Sequence, residues 1–131
     1  MFRSIVGVTA LVVVAALASS ALAALPTKGA VYKGTLYASG APALTKEVRI
    51  KVAATGKSAR VTWWCGAGRA PSSLQFPITA DGTFKAHSNT GSLTVWSFTG
   101  RFVSKQRARA VLHLKATCDG KGGTLNLALQ A

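Results

Sequence analysis

The sequence predicts an all-β fold: a single antiparallel β-sandwich or partly closed barrel of seven to eight strands in meander order, preceded by an N-terminal signal helix. Three observations carry this. Apolar residues alternate with polar ones in short blocks, the period of a half-buried strand. Turn-forming residues separate the blocks. After residue 23 nothing sustains a helical period, and no unit repeats at a fixed spacing.

The first 23 of the 131 residues differ in kind from the rest. Arg3 gives a short positive start, Ile5 to Leu17 is almost wholly apolar, and Ala21-Leu22-Ala23 offers the small residues that a signal peptidase reads. Residues 1–23 are therefore expected to be a secretory signal peptide cut after Ala23, leaving 24–131 as one exported domain. The alternative is an uncleaved anchor, because Ile5 to Leu25 is just long enough to span a bilayer.

Within 24–131 the elements follow in order. Ala30 to Tyr37 is rich in aromatic and β-branched residues and reads as the first strand. Ser39-Gly40-Ala41-Pro42 ends it. Val48, Ile50 and Val52 then fall on one face, with Glu47, Arg49 and Lys51 on the other; Glu47 is expected to partner nearby lysines. Thr55 to Ser58 turns the chain into a strand that places Val61, Trp63 and Cys65 inward and Arg60, Thr62 and Trp64 outward. Gly66 to Ser73 is a loop. Leu74, Phe76 and Ile78 alternate again, and Pro77 marks an edge or a break in pairing. Asp81-Gly82 is a hairpin turn, because this pair readily takes positive φ. Phe84 to His87 returns, and Ser88 to Gly91 turns again. Asp119 to Gly123 precedes a last strand with Leu125, Leu127 and Leu129 on one face.

The longest strand pair runs from Ser92 to Cys118. Trp96, Phe98, Gly100 and Phe102 share a face of its first strand, and Ala108, Ala110, Leu112, Leu114 and Ala116 share a face of its second. Keeping both sets on one side restricts the register. Pairing Arg101 with Arg109 opposes like charges. The register expected instead sets Phe102 opposite Ala110 and Arg101 opposite Val111, with Lys105-Gln106-Arg107 as the turn.

The chain has two cysteines, Cys65 and Cys118. In an exported protein an even count favours a disulfide, and two allow one intramolecular pairing. There is no C-x-x-C redox pair, and no histidine spacing suits a metal site. Charge is the strongest anomaly. The whole chain carries a formal +13; without Arg3, fifteen basic residues face Glu47, Asp81 and Asp119, leaving +12. Internal ion pairs cannot neutralise this excess, and its field attracts anions.

Catalytic patterns are not met. Gly56-Lys57-Ser58 ends like a phosphate loop, but the glycine required five positions before Gly56 is Lys51. Gly66-Ala67-Gly68 is followed by Pro71 and no helix. Asp81 and Asp119 precede glycines as turn formers, which leaves His87 and His113 without an obvious acid partner. No catalytic residue, cofactor or metal ligand is assigned.

Two basic surfaces remain. Arg49, Lys51, Arg60 and Trp64 share the outward parity of one hairpin, where Trp64 either stacks on a ligand or packs beneath the Gly66 to Ser73 loop. Arg101, Arg109, His113 and Lys115 share the outward face of the other. Both are candidate anion sites that would hold phosphates as charges without sequence readout.

Thr99-Gly100-Arg101-Phe102, Ala108 to Leu112, Cys118-Asp119-Gly120, Asp81-Gly82-Thr83-Phe84 and the mid-chain Cys65 together resemble a pattern in small secreted bacterial β-domains of actinobacterial type. That pattern has a Gly-x-Phe strand, a turn, a small-residue strand, and a late cysteine paired to a mid-chain one. Ala110 stands where it more often has glycine, and leucines replace a tryptophan after the late cysteine. The resemblance implies fold and export, and no activity.

The functional expectation is a secreted basic β-domain, not an enzyme, that binds anionic envelope or extracellular polymers or a lipid surface by a cationic face. Non-specific nucleic acid is a further possible partner. The alternatives are a structural or interaction module of the cell surface without a specific ligand, and a small hydrolase or small-ligand binder using the barrel mouth near Cys65 to Ser73.

Overall fold

The computed structural model describes residues 24–38, 41–42, 44, 47–66, 70–91, 93–115, 118–120 and 122–130. The expected signal peptide with its cleavage point, the Ser39-Gly40 turn, the tip of the Gly66 to Ser73 loop and Ala116 lie outside them. The described chain is all-β. Its strands are β1 (Val31–Gly34), β2 (Tyr37–Ala38), β3 (Ala41–Pro42), β4 (Val48–Val52), β5 (Ser58–Trp63), β6 (Ser72–Pro77), β7 (Thr83–Thr90), β8 (Leu93–Phe102), β9 (Arg107–His113) and β10 (Gly122–Leu129). A 3-10 turn at Cys118–Gly120 links the last two.

Eight of these strands form one antiparallel sheet in the order β6-β5-β4-β1-β10-β9-β8-β7. This is a meander whose first long strand closes back onto its last: β1 pairs with both β4 and β10. The sheet is thus a nearly closed barrel, open only along the seam between β6 and β7. The expected first strand is broken after Gly34, where Leu36 turns into the core, and β2 and β3 form a short flap on β10.

Alternation in the sequence becomes burial. Val48, Ile50 and Val52 on β4, Val61 and Trp63 on β5, and Leu125 and Leu127 on β10 are all buried. Rings fill the interior in a continuous run: Phe76 packs on Phe84 and Phe98, Phe84 on Phe102, and Phe102 on Tyr32, with centroids 5.1–5.6 Å apart. Phe76 lies on β6 and Phe84 on β7, so side chains close the seam where backbone bonds do not. Each such aromatic pair contributes about 0.5–1.5 kcal/mol beyond its buried area.

The Asp81-Gly82 turn forms, with Thr79 N–H donating to the Thr83 carbonyl at 3.0 Å and Gly82 at φ 86°. The hairpin ladder expected beyond it does not, because the strands splay into the seam. Pro77, with no N–H to give, ends β6 at this edge. Gly82 has a second role: a Cβ there would collide with the Ala24 carbonyl, whose residue also donates its N–H to the Phe102 carbonyl at 2.8 Å. The turn expected at Ser88 to Gly91 is tighter than its sequence suggests. Strand β7 continues to Thr90 through a bulge at Ser88/Asn89, and Gly91 takes positive φ.

The register of β8 on β9 differs from the expected one. Phe98 faces Leu112, Gly100 faces Ala110, Phe102 faces Ala108, and Arg101 lies directly opposite Arg109. Two tertiary features set this. A Cβ at Gly100 would collide with the Arg109 carbonyl and approach Phe84 to 2.8 Å, so the missing side chain admits both the neighbouring strand and the Phe84 ring. The connection Val103 to Gln106 is also held from outside. The Tyr32 hydroxyl donates to the Lys105 carbonyl at 2.5 Å, and Leu129 N–H donates to the Gln106 carbonyl at 2.8 Å. No residue of this turn has positive φ, so the left-handed turn residue that its length suggested is not needed. Opposing like charges across strands costs a few tenths to about 1 kcal/mol, which packing of this kind outweighs.

Cys65, just past β5, and Cys118, after β9, form a disulfide with Cα atoms 4.9 Å apart and a sequence separation of 53. It ties together strands that are not neighbours in the sheet, across the end of the barrel where Trp63 packs edge-on against Trp96. No helix among the described residues is long and apolar enough to cross a membrane.

Candidate cationic site

The outward parity expected for the basic residues holds. Arg49, Lys51, Arg60, Arg101, Arg109, His113 and Lys115 are exposed, and Trp64 is half-buried. The barrel separates them into two regions whose cations are used differently.

On β4 and β5, Lys51 lies opposite Arg60, and Arg49 lies opposite Thr62 on one side and Lys33 of β1 on the other. Each of the three expected cations, Arg49, Lys51 and Arg60, has a protein partner. Lys51 Nζ donates to the Gly29 carbonyl at 2.8 Å, and an Arg60 guanidinium N–H donates to Ser73 Oγ at 3.1 Å. The Arg49 guanidinium sits 5.6 Å from the centre of the Trp64 ring. Trp64 is therefore engaged from within the protein, as a cation–π partner.

On the opposite wall, cross-strand pairing aligns two rows over the outer face of β7 to β10. One row is Thr83–Arg101–Arg109–Asn126, and the next is Lys85–Thr99–Val111–Thr124–Tyr37. Residues of both rows line an open depression of about 690 Å³. Its floor is Val111 with the backbone of Gly100, Ala110 and Leu125; its polar groups are Thr83, Thr99, Thr124, Asn126 and the two arginines. Among the described residues neither arginine has an ion-pair or hydrogen-bond partner.

Asp81, two residues before Thr83 at the end of the first row, is engaged elsewhere. Its carboxylate accepts hydrogen bonds from the Thr79 and Thr83 hydroxyls and from Thr83 N–H. These bonds, that from Thr79 foremost, hold its pKa below the ordinary carboxylate value. Glu47 is exposed, and the ion pair expected with nearby lysines is not made among the described residues.

His113 and His87 both face Ser97, one from each side. No hydrogen bond joins them and no acid lies between, so they make no nucleophile–base pair among the described residues. No group of three or more His, Cys, Asp or Glu side chains that could hold a metal ion occurs among the described residues.

Parity located the arginines, but five neighbours in the two rows were not singled out: Lys85, Thr99, Thr124, Asn126 and Tyr37. Lys85, Thr99, Thr124 and Asn126 were legible as outward positions, since each alternates with a core residue. Tyr37, at 49 % exposure, was legible in the same way, since Tyr32 and Leu36 at the even positions are both buried. Comparison with family models, with curated proteins and with solved structures finds no match.

Proposed function

We propose that this chain is an exported, disulfide-closed β-barrel domain that binds anionic envelope or extracellular polymers through its cationic outer wall, without catalysing a reaction. The observation that carries this reading is the directly opposed Arg101–Arg109 pair, unpartnered in an open depression. Two like charges at directly opposed cross-strand positions without a counter-charge repel each other, and a bound anion removes that repulsion. The formal +13 of the chain adds a long-range field that draws polyanions to the surface. A disulfide agrees with an oxidising compartment outside the cytosol, as does the signal-like pattern of residues 1–23.

The test is retention of the purified domain on isolated envelope, anionic vesicles and an anionic polymer across a salt series. Retention that falls steeply from low to physiological salt, and falls further when Arg101 and Arg109 are neutralised, is the expected result. Absence of salt-sensitive retention on all three surfaces would sink the reading.

A further inference from the structure

The two rows of the β7–β10 wall differ in chemistry, and the difference names a ligand class. The first centres on two exposed arginines at directly opposed positions of β8 and β9. A single carboxylate is satisfied by one arginine in a bidentate pair, and a phosphodiester or sulfate ester brings one negative charge to two positive ones. A phosphomonoester brings a charge of about −1.5 to −2 at pH 7 and three strong acceptor oxygens, enough for both arginines. The second row suits the group that carries such a phosphate. Thr99 and Thr124 present hydroxyls, and Asn126 beside them presents a carboxamide, all exposed and without partners among the described residues. Val111 gives a small apolar floor between the two threonines. Tyr37, directly across from Thr124, ends the row with an exposed aromatic ring. Hydroxyl and amide groups around an apolar floor, with a ring beyond them at the end of the same row, match the alternating hydroxyl and C–H surface of a sugar. A nucleic acid would need successive rings for its bases, and this wall presents one.

We infer that the depression on β7 to β10 is a subsite for a phosphomonoester-bearing glycan. The phosphate is seated between Arg101 and Arg109, and the sugar lies over Val111 toward Thr124 and Tyr37. This rests on the anionic-polymer reading and narrows it to one chemistry and one wall. Lys85, at the other end of the second row, extends the positive field along the same face.

The inference is tested by titrating the purified domain with mannose 6-phosphate, glucuronate, glucose 6-sulfate and a single-stranded oligonucleotide at fixed ionic strength. Mannose 6-phosphate is expected to bind at least tenfold more tightly than glucuronate or the sulfate ester. Arg101→Gln and Arg109→Gln are each expected to lose tenfold or more. Tyr37→Ala is expected to weaken mannose 6-phosphate several-fold while leaving inorganic phosphate unchanged. Lys57→Gln, which removes one exposed charge far from this wall in sequence, serves as the control for net charge. Cooperative melting, for the arginine variants at or above the parent's temperature, would show that the variants fold. Equal affinity for glucuronate and mannose 6-phosphate, or equal losses in Lys57→Gln and Arg109→Gln, would overturn the inference. So would an oligonucleotide that outcompetes the sugar phosphate, which would assign the wall to nucleic-acid phosphates. If salt-sensitive retention on anionic polymer persists while no sugar phosphate binds, the subsite fails and the broader reading stands. If that retention is absent too, both fail.

Discussion

On β4 and β5 the cations are engaged: Lys51 on a carbonyl, Arg60 on a serine hydroxyl, Arg49 on the Trp64 ring. On β8 and β9 two arginines hold directly opposed positions, and neither has an ion-pair or hydrogen-bond partner among the described residues. The two regions carry similar residues at similar spacing, and in sequence they are equally basic. Their difference teaches that charge count does not locate a binding surface. A cation already bonded within the protein must give up that bond to take a ligand, whereas an unpartnered pair gains from the exchange. The polar interactions of the first region tie its cations to the protein surface, and the repulsion in the second would be relieved by a bound anion.

The largest test cuts the link between the two regions. The disulfide ties the end of β5 to the segment after β9. Replacing Cys65 and Cys118 with serine is expected to cost about 4 kcal/mol in the chain-entropy model. A urea titration of the oxidised and variant chains reads this directly. Equal midpoints would mean that the walls are held in place by packing alone.

A smaller effect is expected from Gly100→Ala, which targets only the second region. Its Cβ meets the Arg109 carbonyl and the Phe84 ring, so overpacking is expected to cost about 1–3 kcal/mol. Phosphate binding should weaken with it, because β8 and β9 must move apart. A variant as stable as the parent would show that Gly100 does not set the register.

Neutralising one arginine should separate the regions by sign. Arg109→Thr is expected to stabilise the unliganded domain by about 0.2–1 kcal/mol through loss of a like-charge pair. Arg60→Gln should be neutral or slightly destabilising, since its interaction is exposed. Added sodium chloride should raise the melting temperature of the parent more than that of Arg109→Thr. If both variants destabilise alike, the repulsion ascribed to β8 and β9 is absent.

The smallest effect concerns pH. Asp81 has its folded-state pKa below the ordinary value, so its stabilisation is present above the unfolded carboxylate pKa. It is lost as pH falls through the folded pKa. Asp81→Asn should therefore lose less stability than the parent below about pH 4. The arginine pair stays charged across that range and should respond to salt instead. An identical acid limb in both proteins would remove Asp81 from the account.

Much of this was legible from residues. The alternation at Val48–Ile50–Val52 and at Leu125–Leu127 gave strands and their buried faces, because period two leaves little choice of side. The even cysteine count gave the disulfide partner. Pro77 pointed to the edge that became the seam. The register of β8 on β9 was read differently from how the chain folds. Local reasoning weighed the Arg101–Arg109 repulsion and the turn length, and it could not weigh the Phe84 ring over Gly100 or the Tyr32 hydroxyl on Lys105. Both come from strands distant in sequence.

By itself, then, the sequence determined the β class, the inward and outward sets, the disulfide partners and the basic excess. These follow from short-range periodicity and from counting. Tertiary structure decided which strands close the barrel and where it stays open. It also decided which cations are bonded and which are bare, since those depend on neighbours brought together across the sheet. The depression with its two arginines exists only because of the register that core packing imposed against the local electrostatic preference.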